Sequence, residues 1–196
     1  MCFRRKCRIT MIVLPAENMR TGRIGKVQKL LQPFRGAGPP VPCQFVNIPR
    51  QPVQVIAAAQ KTSSGYDYAQ WTFPTSVKNI FGKYYESWSW VKERERFRLE
   101  RCYLSVVRLD VVSRGYQAIL CVHCDPTCTE VEPLKSFKSG PHLHVELADD
   151  PIPKCHFPLN LGHLKQVLSS EQEITTAMRS AVRVITEEVM PRYARL

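Results

Sequence analysis

The sequence lacks any continuous run of about 18 apolar residues, the length that a helix needs to cross a membrane. It also lacks the glycine-rich phosphate-binding loops, the His-Glu-x-x-His motif and the Gly-x-Ser-x-Gly motif. We therefore expect no transmembrane segment, no phosphate-loop nucleotide hydrolysis and no esterase chemistry. The apolar stretch 9–16 contains Pro15 and is too short for a good signal peptide, so we expect a cytoplasmic protein with reduced thiols.

Acidic residues are almost missing from the first 50 positions, which hold ten basic residues and one acid, Glu17. The whole chain of 196 residues has 28 Lys and Arg against 17 Asp and Glu, a net charge of +11. A basic arm of this kind attracts polyanions such as nucleic acid or an anionic membrane surface, or it is only a solvated tail. The candidate polyanion-binding residues are Arg4, Arg5, Lys6, Arg8, Arg20, Arg23, Lys26 and Lys29.

Prolines dominate the region that follows. Residues 33–52 contain six of them, and proline is excluded from helix interiors and central strands. We therefore predict a disordered basic, Pro-rich arm and linker over residues 1–52, with one short basic helix near 22–32. The remainder, 53–196, is predicted to be a single domain.

The rest of the chain has the pattern of an α+β protein. Apolar residues spaced by three, four and seven positions predict a helix over 76–93. Four strands follow, at 97–110, 116–124, 142–148 and 154–159. A short helix at 161–168 precedes a last helix, which Ser170 and Glu173 begin with a capping box. The order predicts a four-stranded antiparallel meander covered on one face by helices.

Four of the five histidines fall on one face of this predicted sheet. Side chains alternate along a strand, so His123, His142, His144 and His156, with Glu146, lie opposite the apolar faces. Neighbouring imidazoles can bind one metal ion, or serve as general base and general acid in phosphodiester cleavage. We predict His142, His144 and His156 as catalytic residues or as ligands of zinc or another divalent metal, supported by Glu146 and His123. The alternative is a solvated polar face.

The eight cysteines offer a competing metal site. Cys121, Cys124 and Cys128 form C-x2-C-x3-C, and Cys155 or a histidine could supply a fourth zinc ligand. Buried free cysteines also behave as small apolar side chains, so core thiols are the alternative interpretation.

Part of the chain resembles two groups of bacterial proteins. The segments LCVHCDP, GPHLH at 140–144 and FPLNLGHL at 157–164 resemble small toxins of toxin–antitoxin pairs, which carry a Gly-x-His-x-His strand. This resemblance implies an RNA- or nucleotide-directed toxin with His142 and His144 at its site, and an antitoxin as partner. The spaced Cys, Glu and His residues also resemble predicted metal-binding proteins encoded beside ubiquitin-like conjugation systems, which implies a conjugation-system component as partner.

Two functional hypotheses follow. The first is a small His-rich enzyme acting on phosphodiesters of RNA, a toxin-like ribonuclease or nucleotide-directed enzyme that holds nucleic acid through its basic arm. The second is a non-catalytic zinc-binding adaptor for a protein partner.

Overall fold

The computed structural model describes residues 12–50, 52–60, 65–92, 95–110, 112–124, 142–145, 155–158 and 170–194. Strands in these ranges form one antiparallel sheet of order β2-β3-β5-β6-β7-β8-β9, with β1 paired to β6 and β4 paired to β5. The strands are β1 (Val13–Pro15), β2 (Cys43–Asn47), β3 (Val53–Ala58), β4 (Phe73–Pro74), β5 (Ile80–Val91), β6 (Arg96–Leu109), β7 (Tyr116–Cys124), β8 (His142–Val145) and β9 (Cys155–Pro158).

Two helices, α1 (Ile24–Leu31) and α2 (Glu171–Val184), pack against one face of the sheet, which we call the covered face. Helical segments Ala16–Asn18 and Met19–Arg23 lead into α1, and Ile185–Val189 and Met190–Tyr193 extend α2. The main core lies between these helices and the sheet. It includes Leu31, Ile56, Trp88, Leu104 and Met178.

The opposite face of the sheet, which we call the outer face, has a smaller apolar cluster at the β2–β3 end. Val46, Val55, Ala57 and Trp71 are its buried members, together with Ala59. The segment 65–72, which includes the 3-10 turn Tyr68–Gln70, contributes Trp71 and Tyr68 to this cluster. Beyond this cluster the outer face changes from apolar to polar and aromatic.

The structure confirms an α+β fold with an antiparallel sheet and helices on one face, but not the four-stranded meander. The main path of the sheet has seven strands, because β2, β3 and β5 extend it beyond the predicted strands. The four predicted strands are present as β6 to β9. Ser170 begins α2 as predicted, and its side chain accepts a hydrogen bond from the Glu173 backbone N–H at 3.2 Å. The predicted helix 161–168 lies outside the described residues.

The expectation of a disordered arm does not hold for residues 12–50. Ile12, Leu14, Val27 and Phe34 are buried in the main core, and the predicted basic helix is present as α1. Pro33 lies in the 3-10 turn Gln32–Phe34. The other prolines of this region lie outside β2 and β3, so they bound a hairpin instead of preventing one. This hairpin joins β2 to β3, and the boundary predicted at residue 52 lies within it.

The predicted helix over 76–93 is wrong, because this segment contains the twelve-residue strand β5. Every second residue of β5 faces the core, as expected for a strand. Two of these residues, Gly82 and Glu86, are not apolar, so the alternation of apolar and polar residues is not visible in the sequence. Gly82 is required by close packing, since a Cβ there would lie 2.1 Å from the Phe73 ring. The Glu86 carboxylate is completely buried, so it requires a counter-charge from a part of the chain that is distant in the sequence.

Within the described ranges, no helix combines the length and the hydropathy that a membrane span requires.

Candidate functional site

The backbone register of β7, β8 and β9 brings four histidine positions together on the outer face. His123 is directly opposite His142, and His144 is directly opposite His156. Opposite residues in an antiparallel pair have Cα atoms about 4.5–5.5 Å apart and share a face of the sheet. We call these four positions the histidine face. The backbone register therefore gives His123, His142, His144 and His156 neighbouring positions, and their action as one site stays a prediction. Glu146 lies outside the described residues.

An aromatic ladder, which sequence reasoning missed, leads across the outer face to His123. The ring centroids of Tyr68 and Tyr85 are 5.1 Å apart, and those of Tyr85 and Tyr103 are 5.0 Å apart. Tyr103 then contacts His123 edge-on at 4.7 Å. We call Tyr68, Tyr85 and Tyr103 the tyrosine ladder. The ladder could have been found from the alternation of side chains along β5 and β6. The segment of β5 was predicted as a helix, so this alternation was not applied to it.

A second row of polar residues runs parallel to the ladder. Lys83 on β5 is opposite Ser105, and Ser105 is opposite Cys121. Cys121 is in turn opposite His144. The Ser105 hydroxyl lies 2.9 Å from the Cys121 sulfur. Burial lowers the pKa of the Lys83 ammonium, and the nearby charge of Asp67 opposes this shift. The outer face therefore presents a hydroxyl, a thiol and histidine positions in neighbouring registers.

Two of the cysteines that the sequence offers as zinc ligands, Cys121 and Cys124, lie on opposite faces of β7. Cys124 is buried in the main core opposite Cys102, whereas Cys121 lies half-buried on the outer face. An ion on one face cannot be bound by both. The backbone register of Cys155 pairs it with Val145, and Cys128 lies outside the described residues. Among the side chains that the structure describes, no three His, Cys, Asp or Glu residues form a group able to hold a metal ion.

Of the predicted polyanion-binding residues, the structure describes the side chains of Arg23, Lys26 and Lys29. Arg4, Arg5, Lys6 and Arg8 lie outside the described residues, and nothing is described of the Arg20 side chain. Lys26 and Lys29 are exposed on α1, where the Lys26 ammonium donates to Glu171 at 2.7 Å. The prediction that Arg23 binds a polyanion is wrong, because its side chain is only 1% exposed.

Arg23 instead forms a buried ion pair with Glu86 of β5. Its Nε donates to Glu86 Oε2 at 2.9 Å, and its Nη2 donates to Oε1 at 2.5 Å. The Trp88 indole N–H donates to the same carboxylate at 3.0 Å, and the Tyr84 hydroxyl also donates to it. The two oxygens thus accept four hydrogen bonds, which compensates for the desolvation of a charge that is completely buried.

The same guanidinium also holds α2 in place. Arg23 Nη1 donates to the Thr175 hydroxyl at 2.6 Å and to Glu171 Oε1 at 3.1 Å. Burial alone lowers the pKa of Arg23, but Glu86 and its neighbours outweigh that effect and raise the pKa well above its ordinary value. Arg23 therefore stays charged and joins the N-terminal segment, β5 and α2.

The fold and the outer face together define an α+β protein whose antiparallel sheet has one helix-covered face and one face rich in tyrosine and histidine. Comparison with protein-family models, with curated proteins and with solved structures finds no match. Any functional conclusion therefore depends on the chemistry of these residues.

Proposed function

We propose that the protein cleaves phosphodiester bonds of single-stranded RNA at the histidine face. The observation that supports this is the register of β7, β8 and β9, in which four histidines occupy neighbouring positions on one face. Imidazole is the side chain whose unperturbed pKa lies near neutrality, so neighbouring histidines can be present in both protonation states at once. That combination is what general acid–base catalysis needs.

The chemistry requires no additional reactant. One neutral imidazole removes the proton of a ribose 2′-hydroxyl, and the oxygen attacks the adjacent phosphorus. The bond from phosphorus to the 5′-oxygen breaks, and a protonated imidazole gives its proton to that leaving oxygen. The products are a 2′,3′-cyclic phosphate and a 5′-hydroxyl end. DNA lacks the 2′-hydroxyl and is not a substrate of this route.

The tyrosine ladder supports a single-stranded substrate. Aromatic rings on a sheet surface offer stacking surfaces to unpaired bases, worth about 1–3 kcal/mol per base. The ladder reaches the histidine face directly, since Tyr103 contacts His123. The net charge of +11 favours association with any polyanion.

The test is cleavage of end-labelled single-stranded RNA by the full chain, with DNA of the same sequence as a negative control. We expect RNA cleavage that persists with EDTA and leaves cyclic phosphate ends. A His142→Ala/His144→Ala variant should lose nearly all of the activity. The matched control is His163→Ala, which removes the histidine that lies outside this face by sequence. Full activity in the folded double variant would refute the proposal.

Residues that act as one unit lose activity non-additively. We therefore expect each of His142→Ala, His144→Ala and His156→Ala to remove most of the activity, with the triple variant little worse. Glu146→Gln should have an intermediate effect if this residue only orients an imidazole. Additive losses across the three histidines would indicate independent contributions to RNA binding rather than one site.

The second candidate function is that of a zinc-binding adaptor for a protein partner, and the position of Cys121 opposite His144 favours it. Imidazole and thiolate groups are the ligands that zinc prefers, so the outer-face residues fit this metal. Cys121→Ser should then lower the zinc content of the purified protein, whereas Cys124→Ala on the opposite face should not. Stoichiometric zinc without RNA cleavage would favour the adaptor over the enzyme.

A bacterial toxin of the kind suggested by the resemblance would arrest growth when expressed without its partner antitoxin. We expect this arrest to disappear in the His142→Ala/His144→Ala variant. We also propose a cytoplasmic location, where the thiols of the chain would stay reduced.

A further inference from the structure

A cavity of about 540 Å³ opens on the covered face at the end of the sheet, next to the helical segment Ala16–Asn18. Asn47 of β2 is opposite Gln54 of β3, and Trp90 of β5 is opposite Phe97 of β6, so these four residues form its floor. Ala16, Pro52 and Val53 supply the walls. Its volume lies within the range of about 300–1,000 Å³ that is typical of small-molecule sites.

The floor of the cavity combines the exposed ring of Trp90 with the side-chain amides of Asn47 and Gln54. The ring centroids of Trp90 and Phe97 are 4.9 Å apart, and Trp90 is 36% exposed. Within the described part of the chain, neither the Asn47 nor the Gln54 side chain makes a hydrogen bond. Each amide therefore presents a donor and an acceptor to any occupant.

The lining contains no charged residue. A charged ligand would lose its hydration without gaining a counter-charge from the lining, so the cavity favours a neutral one. The aromatic surface favours a planar ligand. The paired amides favour a ligand whose edge carries a donor beside an acceptor. A nucleobase has all three properties, and the amide of Asn or Gln matches the N6 and N7 edge of adenine in two hydrogen bonds.

We propose that this cavity binds an adenine base, stacked on Trp90 and held at its edge by Gln54 or Asn47. The proposal is independent of the phosphodiester proposal, because the cavity residues and the histidine face lie on opposite faces of the sheet. The base can belong to a free nucleoside or to a strand of RNA.

Intrinsic fluorescence of the full chain tests the proposal. Trp90 is the most exposed of the three tryptophans, since Trp71 is 8% and Trp88 is 0% exposed, so quenching by a bound base will report mainly on Trp90. We expect saturable quenching by adenosine, nearly the same affinity for AMP, and weaker binding of uridine. No saturable quenching by adenosine, or equal affinity for uridine, would overturn the assignment to adenine.

Variants separate the cavity from non-specific stacking. Gln54→Leu should weaken adenosine binding about tenfold, the equivalent of about 1.4 kcal/mol from one lost amide pair. Gln172→Leu, at an exposed position on α2, is the matched control and should leave binding unchanged. Binding to Trp90→Leu is measured by equilibrium dialysis with labelled adenosine and should be almost abolished. Unchanged binding by folded Gln54→Leu and Trp90→Leu variants would overturn the proposal.

A comparison of adenosine with a short oligoadenylate distinguishes the two sources of the base. Equal affinity identifies a free nucleoside as the ligand, and much tighter binding of the oligonucleotide identifies a strand of RNA. The His142→Ala/His144→Ala variant should bind adenosine as the parent protein does. Loss of RNA cleavage with intact adenosine binding, or the reverse, shows which of the two proposals fails.

Discussion

The two faces of the sheet both contain polar side chains, but these side chains have opposite environments. On the covered face, Glu86 is completely buried and both of its oxygens are occupied by Arg23, Tyr84 and Trp88. On the outer face, Tyr103 and Cys121 are half-buried on a surface that leads to the histidine positions. Polarity alone therefore does not mark a functional site. The ion pair of Arg23 and Glu86 holds the helices to the sheet, whereas the outer face has imidazole, hydroxyl and thiol groups that can take part in catalysis or metal binding.

The largest effect is expected from deletion of residues 1–50. The deletion removes α1, β2 and the buried Arg23, and it leaves the Glu86 carboxylate without its counter-charge. We expect loss of cooperative thermal unfolding, measured by circular dichroism. The control is Lys26→Gln/Lys29→Gln, which removes exposed charge from α1 and should remain folded. A truncated chain with an unchanged melting temperature would show that this segment is dispensable after all.

Arg23→Met tests the buried ion pair alone. Removing one partner of a buried pair costs about 3–5 kcal/mol in the free energy of unfolding, because the other charge stays buried. Lys26→Met, which breaks the exposed pair with Glu171, should cost less than about 1 kcal/mol. Urea denaturation measures both. Equal losses in the two variants would contradict the distinction between the buried and the exposed pair.

Gly82→Ala tests the close packing of the covered face. The new Cβ would lie 2.1 Å from the Phe73 ring, and overpacking of this kind costs about 1–3 kcal/mol. Gly25→Ala is the matched control, because its new methyl group would have no neighbouring atom within 4 Å and alanine favours the α1 helix by about 1 kcal/mol. The two substitutions should therefore change the free energy of unfolding in opposite directions, and a shared sign would refute this packing argument.

Alkaline pH should lower the free energy of unfolding through the thiol of Cys43. Burial, and secondarily the charge of Glu86, raises the pKa of this thiol from 9.0 to about 12. The unfolded chain therefore loses this proton first, so the contribution of Cys43 to stability is present below pH 9 and is lost as the pH rises towards 12. Cys43→Ala should make the decline in stability between these pH values shallower. An unchanged slope would exclude Cys43 as a contributor.

A substitution on the outer face should affect binding more than stability. Tyr103→Leu removes two ring contacts and should cost about 0.5–1.5 kcal/mol per aromatic pair. The same variant should clearly weaken the binding of single-stranded RNA, measured by fluorescence anisotropy. Tyr116→Leu, an exposed tyrosine of β7 outside the ladder, is the control for RNA binding. A large stability loss without a binding defect would place the ladder among the structural residues.

Local patterns were enough to identify several elements. The strands β6 and β7 alternate without proline or glycine, and Ser170 with Glu173 marks the start of α2, so these elements follow from neighbouring residues alone. The shared face of the four histidines also follows from alternation within each strand. The pairing of His123 with His142 and of His144 with His156 depends on register, which neighbouring residues do not determine.

By itself the amino-acid sequence determined the α+β class, the helix-covered antiparallel sheet and the outer position of the histidines, because each depends on short-range periodicity. Only the tertiary structure decided the roles of β5, Arg23 and Cys124. Glu86 interrupts the apolar pattern of β5, and its partner Arg23 is 63 residues away in the sequence. A buried charge is acceptable in a strand only when the fold supplies its counter-charge, and that distant contact exists only in the folded chain.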